Sequence, residues 1–444
     1  MNAVEPPTNA DPIARSALRK ATWRLIPLIA LGYGTAYMDR VNISYAALQM
    51  NRDLHFSNTI YGFGAGLFFL SYAACEIPSN LMLYRFGARK WLSRIMVTWG
   101  VIAMGMMFVR TPMQFYIARF LLGMAEAGFF PGIIFYLMQW YPPHMRARAI
   151  TRFYIAFPIS TVVMGSLAGA LMSLNGRLGL SGWQWLFLVE ALPAIVLAVA
   201  FFYMLPDGPA DAPWLTEPER SAILAGVAGD GTHMPTESIA PALRDPRVWL
   251  IGVVYMCLLT AGYAYNFSAP ALVQKITGFS IANVGFVLAA FGVLGAAAML
   301  LNGLHSDWTG ERHNHVILWC FLTLAGFIFC GLSSSAPVAL PALALVFVSY
   351  NAMQGPLWAI PAVFLAGRSA AAGIATINMI GILGGFIGPY WMGFARDLTG
   401  NYQHGLLTMT APMLIATGVM LYLRRQERLA VRCRLASKPV ASLP

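Results

Sequence analysis

Twelve stretches of this sequence are each long and apolar enough to cross a lipid bilayer, and that number constrains the fold more than any other feature. A membrane-spanning helix needs about 20 mostly apolar residues. The stretches fall at 24–48, 58–83, 91–110, 112–138, 149–172 and 184–205. After an interruption they resume at 247–270, 280–303, 315–333, 337–364, 370–393 and 403–423. We number them spans one to twelve. Only 11% of residues are charged and 58% are hydrophobic, whereas soluble domains carry about 25% charge. Such a chain lacks the polar residues to cover a water-facing surface. That excludes an ordinary soluble enzyme, a disordered chain and a nucleic-acid-binding domain. Segments of about ten residues alternating apolar with polar are absent, which argues against a membrane β-barrel. Prolines within the spans, such as Pro158, Pro193 and Pro361, are tolerated in bundled membrane helices. The expected fold is an all-α membrane protein of twelve helices.

The chain carries 29 basic and 18 acidic residues, a net charge of +11. Placement explains the excess. With twelve spans both termini share one side, and that side holds 22 of the basic residues. The opposite side holds Arg52, Arg110, Arg177, Lys275 and Arg396, and Arg40 and Arg119 lie within spans. Basic loops stay cytoplasmic, so both termini are expected in the cytoplasm of a cell whose bacterial inner membrane holds the protein. The excess therefore gives no sign of a nucleic-acid partner. Met1–Lys20 is polar and lacks a signal-peptide core, so span one is expected to act as an uncleaved insertion signal. Cys75, Cys257, Cys320 and Cys330 lie in spans and Cys433 in the tail, with no disulfide or zinc spacing. His313-x-His315 reads better as a solvated loop than as a metal site. No cofactor or metal is expected.

Residues 206–246 break the apolar pattern with Pro206, Pro209, Pro213, Pro218, Pro235 and Pro241. They divide the chain into an N-terminal half (1–205), a linker (206–246) and a C-terminal half with its tail (247–444). Thr216-Glu217-Pro218-Glu219 reads as a capping box that opens a short helix. The halves echo each other. Asn80-x3-Tyr84-Arg85-x-Gly87-x-Arg89-Lys90 follows span two, and Gly303-x3-Asp307-x2-Gly310-x-Arg312 follows span eight. A turn glycine followed by basic residues, at the same place in each half, suggests a parallel repeat. Twelve spans in two such halves are the pattern of a rocking transporter with a site near the midplane.

These loops resemble the signature of the major facilitator superfamily, with Gly87, Arg89, Gly303, Asp307 and Arg312 at its gating positions. The first copy departs from it, with Asn80 and Tyr84 where Gly and Asp are usual. Three further segments are similar to the anion:cation symporter family, which includes tartrate, sugar-acid and aromatic-acid permeases. They are Tyr37-x-Asp39-Arg40-Val41-Asn42, Glu76-x-Pro78-Ser79-Asn80 and Arg119-x3-Gly123-x2-Glu126-Ala127-Gly128-x2-Pro131. The resemblance covers essentially the whole chain. It implies proton roles for the matching acids, substrate contact for the matching arginines, and a functional monomer.

An ionisable residue in the bilayer costs roughly 3 kcal/mol on insertion scales and is a functional candidate by default. The spans hold six, all in the first half: Asp39, Arg40, Glu76, Arg119, Glu126 and Glu190. On a helical wheel Tyr33, Tyr37, Arg40 and Ser44 share a stripe of span one, with Asp39 about 100° away beside Gly32 and Ala36. Arg119 and Glu126 are seven residues apart on one face of span four. At about 1.5 Å per residue that is roughly 10 Å along the axis, too far for a tight pair. Each is expected to meet a charge on span one.

With both acids ionised, Asp39, Arg40, Arg119 and Glu126 sum to zero, and each proton bound leaves one arginine unneutralised. A guanidinium fork suits a carboxylate. Proton and anion binding then favour each other by linkage. The reading is a proton-coupled symporter that imports a small organic carboxylate. Asp39 and Glu126 handle protons, Arg40 and Arg119 bind the anion, and Tyr33, Tyr37, Tyr72 and Asn378 line the site. Glu76 and Glu190 read as structural pairs. Asn351 and Gln354 read equally as interhelical hydrogen-bonding groups or as substrate contacts. Glycine pairs such as Gly62/Gly66 and Gly384/Gly388 read as close helix packing. The competing readings are a proton-independent facilitator or exchanger and a non-transporting receptor. An intramembrane enzyme lacks a nucleophile–base pair or metal-ligand set within the spans.

Overall fold

A computed structural model of the protein describes residues 12–228, 243–365 and 367–436. Pro235, Pro241, residues 1–11 and residues 437–444 lie outside the described residues, as do the side chains of Pro158, Arg368 and Cys433. Every regular element among the described residues is helical.

Among the described residues, eleven helical stretches are long and apolar enough to cross a membrane. They are Asn58–Phe86, Ala88–Phe108, Pro112–Met138, Arg152–Met172, Gly182–Met204, Pro246–Thr277, Ile281–Thr309, His313–Leu332, Ala336–Ala359, Gly373–Thr399 and Tyr402–Leu429. They fill spans two to twelve. Span one lies inside a longer helix, Pro12–Asp53, of 42 residues. That helix is less apolar because it begins in a polar segment and carries Asp39 and Arg40 midway. With it, the twelve-helix fold is complete.

Chain contacts define two compact units. One comprises Met1–Ala46 and Leu70–Thr236, the other Ala47–Phe69 and Glu237–Pro444. In the first, the Ala88–Gly105 and Gly182–Met204 helices run against each other. Trp99 is fully buried there, edge-on to Phe129 with ring centroids 5.2 Å apart. The short linker helix Glu217–Ala228 is tied to the start of span one. Glu219 accepts hydrogen bonds from Lys20 Nζ at 2.8 Å, Ser16 Oγ at 2.9 Å and the Thr216 amide at 3.0 Å. The Thr216 contact is the back-bond of the expected capping box. The lysine contact, across 199 residues, anchors the helix.

In the second unit the Gly384–Thr399 helix packs against Pro246–Thr277 at backbone contact. A Cβ built on Gly388 would fall 2.2 Å from the Thr260 carbonyl oxygen, so only glycine allows this approach. The start of span two belongs to this unit because Asp397 caps it. Asp397 Oδ1 accepts from the Asn58 amide (3.1 Å) and Nδ2 (2.6 Å), and Oδ2 from the Thr59 amide (2.7 Å) and Oγ1 (2.6 Å). A carboxylate at a helix N-terminus satisfies amides that have no partner within the helix. Here it comes from a residue 339 positions away.

Candidate functional site

Span four is not one continuous helix. Its first helix, Pro112–Glu126, ends at the acid, Ala127 is extended (ψ 133°), and Gly128 is left-handed (φ 85°, ψ −3°) before Phe129–Met138 resumes. A side chain is disfavoured at that φ. A Cβ at Gly128 would also lie 2.4 Å from Ser79 Oγ. Glu126 thus sits at a break, the arrangement by which membrane carriers present groups at mid-depth.

Across from the break lies span one. Arg40 Nη2 donates to Glu126 Oε1, and the Arg40 guanidinium stands 5.4 Å from the centroid of the Tyr72 ring. Asp39 accepts from Asn42 Nδ2 at 3.2 Å, one turn further along the same helix. The charges of Glu126, Arg119 and Arg40 act on Asp39. Asp39, Arg119 and Glu126 are each at most 2% exposed, while the Arg40 side chain keeps 16%. The cross-helix contact expected between spans one and four is therefore present. Two arginines and two acids form one buried cluster inside the first unit, and Arg40 is its most open member.

A third acid joins them. Glu190, on the Gly182–Met204 helix, is buried, and neither carboxylate oxygen accepts a hydrogen bond. Its electrostatic neighbours are Asp39 and the Asn42 amide, and it acts in turn on the buried Tyr45. The expectation of a structural ion pair at Glu190 is not met, because no cation lies among those neighbours. Pro193, three residues on, leaves the Val189 carbonyl without its helical donor. Sequence reading missed this grouping and Asn42. The one available signal was the one-turn spacing from Asp39 to Asn42.

The remaining expected residues fall in different places. Tyr33 is half-buried in an aromatic group, 5.3 Å from Phe130, 5.5 Å from Phe153 and 5.6 Å from Tyr154 between ring centroids. Tyr37 is buried 4.2 Å from Phe157. Tyr72 lies under Arg40. Asn378 belongs to the other unit, on the Gly367–Ile382 helix, where it is half-buried. Asn351 Nδ2 donates to Phe347 O at 2.8 Å and Gln354 Nε2 to Tyr350 O at 3.5 Å, each one turn back in its own chain. An interhelical bond of the kind weighed for them is made by Asn302, which donates to Ala352 O at 2.8 Å.

Both repeat loops turn on a glycine of positive φ, Gly87 (84°) and Gly310 (68°). Arg312 pairs with Asp307 at 2.5 Å. Gly303, by contrast, lies within the Ile281–Thr309 helix. The acid missing from the first loop is supplied by Asp207, just beyond span six. Its Oδ1 accepts the Arg89 amide at 2.9 Å, and its carboxylate lies 3.9 Å from the Arg89 guanidinium. His305 and His315 share a contact of 2.7 Å, and among the described residues no group of three or more ligands is placed to hold a metal. The four described cysteines are free thiols.

Twelve helices and a buried acid–arginine cluster define a membrane transporter of the facilitator type. The chain belongs to the Major Facilitator Superfamily, whose profile matches residues 29–389; it is a multi-pass membrane transporter and not an enzyme. It is 45% identical over 425 residues to a protein of Agrobacterium vitis described as "Putative tartrate transporter", covering 95% of this chain and 94% of that one. It is 37% identical over 403 residues to the quinolone resistance transporter of Acinetobacter baumannii, covering 90% and 93%. A bacterial homologue of the human lysosomal transporter Spinster, solved in an inward-facing and occupied conformation, superposes with a TM-score of 0.74. That match covers 94% of this chain and 98% of the homologue at 15% identity, so the likeness speaks for the fold alone.

Proposed function

We propose that this transporter is a proton-coupled importer of a small organic carboxylate, working by alternating access. In this reading it sits as a monomer in a bacterial inner membrane with both termini cytoplasmic, and residues 1–205 and 247–444 move as halves joined by 206–246. The observation that carries the proposal is the Arg40–Glu126 contact inside the cluster with Asp39 and Arg119. An arginine engaged by an internal carboxylate is released when that carboxylate takes a proton. The freed fork then offers two parallel donors to a substrate carboxylate. Arg40 retains exposure and meets the substrate first, with Arg119 holding charge deeper in the cluster. Return of the empty carrier requires the internal acids to re-engage the arginines, which they do once deprotonated. Proton and anion therefore travel together, because each favours binding of the other by the same free energy.

Tyr72, stacked under Arg40, shapes the apolar side of the binding space, Tyr33 and Tyr37 lie on the same helix as Arg40, and Asn378 is the substrate contact proposed for the second unit. Gly87, Arg89 and Arg312, with Gly303 and Asp307 on the last turns of the Ile281–Thr309 helix, gate the two halves. The tartrate designation of the Agrobacterium vitis relative favours a hydroxy-acid over an aromatic acid. A thermal-shift panel of hydroxy-, sugar and aromatic acids on the purified protein at two pH values tests the class. The expected result is stabilisation by a hydroxy-acid that grows as pH falls. Stabilisation by neutral or cationic solutes, with none by any acid, overturns the reading.

A further inference from the structure

Glu190 is the one buried acid of this region that the charge count above leaves unused. It is 3% exposed, and both of its carboxylate oxygens are buried without a hydrogen bond. Asp39 Oδ2 is in the same condition. Both acids have the Asn42 amide as a neighbour: it donates to Asp39 Oδ1 at 3.2 Å and also acts on Glu190. One amide cannot satisfy two carboxylates, and two like charges in an apolar interior cannot both stay ionised. The arginines do not resolve the conflict. Arg40 is committed to Glu126, and Arg119 acts on Asp39 and Glu126 but is not among the neighbours of Glu190. The other titratable group beside Glu190 is the buried phenol of Tyr45, which supplies no positive charge.

We propose that Glu190 is a third proton-carrying carboxyl of the transport site, sharing one proton with Asp39 across Asn42. The step balances simply. The O–H bond on Glu190 breaks, an O–H bond forms on Asp39, and the Asn42 amide turns from Asp39 to the newly ionised Glu190. With three acids and two arginines, one shared proton leaves the resting cluster neutral. Each further proton leaves an arginine free for the substrate anion. Glu190 thereby acts on substrate through Asp39, as a positioning and proton-holding residue. The inference rests on the proton-coupled reading above.

Two measurements on the full-length protein test it. The first is an infrared pH titration of the purified protein, following the C=O band of protonated carboxyls. Glu190→Gln is expected to lose one protonated carboxyl, and the coupled titration of the pair is expected to collapse to a single step. Glu190→Asp, which keeps the acid, should retain two. A Glu190→Gln titration superposable on wild type overturns the proposal. The second is the number of protons that the purified protein takes up on acidification through the carboxyl range, read by pH-stat, which should be one lower in Glu190→Gln than in wild type. An unchanged number also overturns it. If Glu190→Gln fails to fold, the same comparison is made with Asn42→Leu, which removes the shared amide. There, the pair is expected to hold its shared proton to higher pH, because the ionised acid has lost its amide donor, and a titration superposable on wild type counts against the inference. Wild-type tartrate uptake without proton movement would sink the proton-coupled reading itself, whereas the infrared result judges Glu190 alone.

Discussion

Replacing Arg40 with methionine tests whether the Arg40–Glu126 contact holds the cluster together. Glu126 is 1% exposed, its Oε1 takes a hydrogen bond from Arg40, and its Oε2 is buried without one. Arg40→Met therefore leaves a buried carboxylate with only the more distant charge of Arg119. Removing one partner of a buried pair costs about 3–5 kcal/mol. Glu126→Gln is milder, because an amide oxygen still accepts from Arg40. Its cost should stay near that of a charged hydrogen bond, about 1.5–3 kcal/mol. The double variant strands no buried carboxylate, so its cost should fall short of the sum of the two by about 1–3 kcal/mol, the coupling expected of side chains in contact. Unfolding of the four proteins in detergent micelles gives the cycle. Arg40→Met should be the least stable of the single variants, and the double variant should regain stability relative to it. Single costs that add to within about 0.5 kcal/mol would mean the two side chains do not interact, and the reasoning would fail.

Arg119→Lys replaces a fork with a point charge, and the loss of one charge-assisted bond should weaken acid binding about 10- to 100-fold. Near-wild-type affinity by calorimetry would rule out direct contact. Gly128→Ala forces a side chain into left-handed backbone at about 1–2 kcal/mol and drives it against Ser79, which also accepts from Trp91 Nε1 at 3.1 Å. Melting and uptake should both drop, and a variant as stable and active as wild type would show that the break in span four is not needed. The hydrogen bond from Lys20, with those from Thr216 and Ser16, holds the Glu219 carboxyl down at about 2. A depressed carboxyl stabilises the fold fully above the ordinary carboxylate range of about 4 and loses that contribution as pH falls toward 2. Hydrogen exchange in Glu217–Ala228 should therefore be independent of pH near neutrality after correction for intrinsic rates. Lys20→Ala should speed it, and a latch that loosens between neutral pH and about 5 would contradict the assignment.

Much of the fold was legible because it is written in hydropathy. Each of spans two to twelve coincides with a helix long and apolar enough to cross, and span one is less apolar because its helix starts in a polar segment and carries Asp39 and Arg40. The pairing of Arg40 with Glu126 was legible too, since seven-residue spacing forbade Arg119 and Glu126 from pairing on one helix and span one carried the complementary charges. What escaped sequence reading were contacts fixed by distant parts of the chain. Glu190 looked like a structural acid beside a proline, because nothing local shows that its neighbours are Asp39 and Asn42 from span one. Gly128 entered the sequence reading only as part of a family motif, and nothing local shows that its backbone is left-handed or that Ser79 of span two leaves no room for a side chain there. The acid absent at Tyr84 has a counterpart in Asp207, which accepts the Arg89 amide from 118 residues further along the chain, a contact fixed in space that no local motif shows. Asn351 and Gln354 turned to their own carbonyls, an option always open to a side chain near a helix irregularity.

The central claim is that the buried acids couple proton entry to anion entry, and its most direct measurement is tartrate uptake into proteoliposomes under an imposed proton gradient. The wild-type protein should accumulate tartrate, and a protonophore should abolish the accumulation. Glu126→Gln should lose gradient-driven accumulation while still exchanging tartrate across the membrane at equal pH. Undiminished accumulation by Glu126→Gln, or wild-type uptake indifferent to the protonophore, would contradict the account.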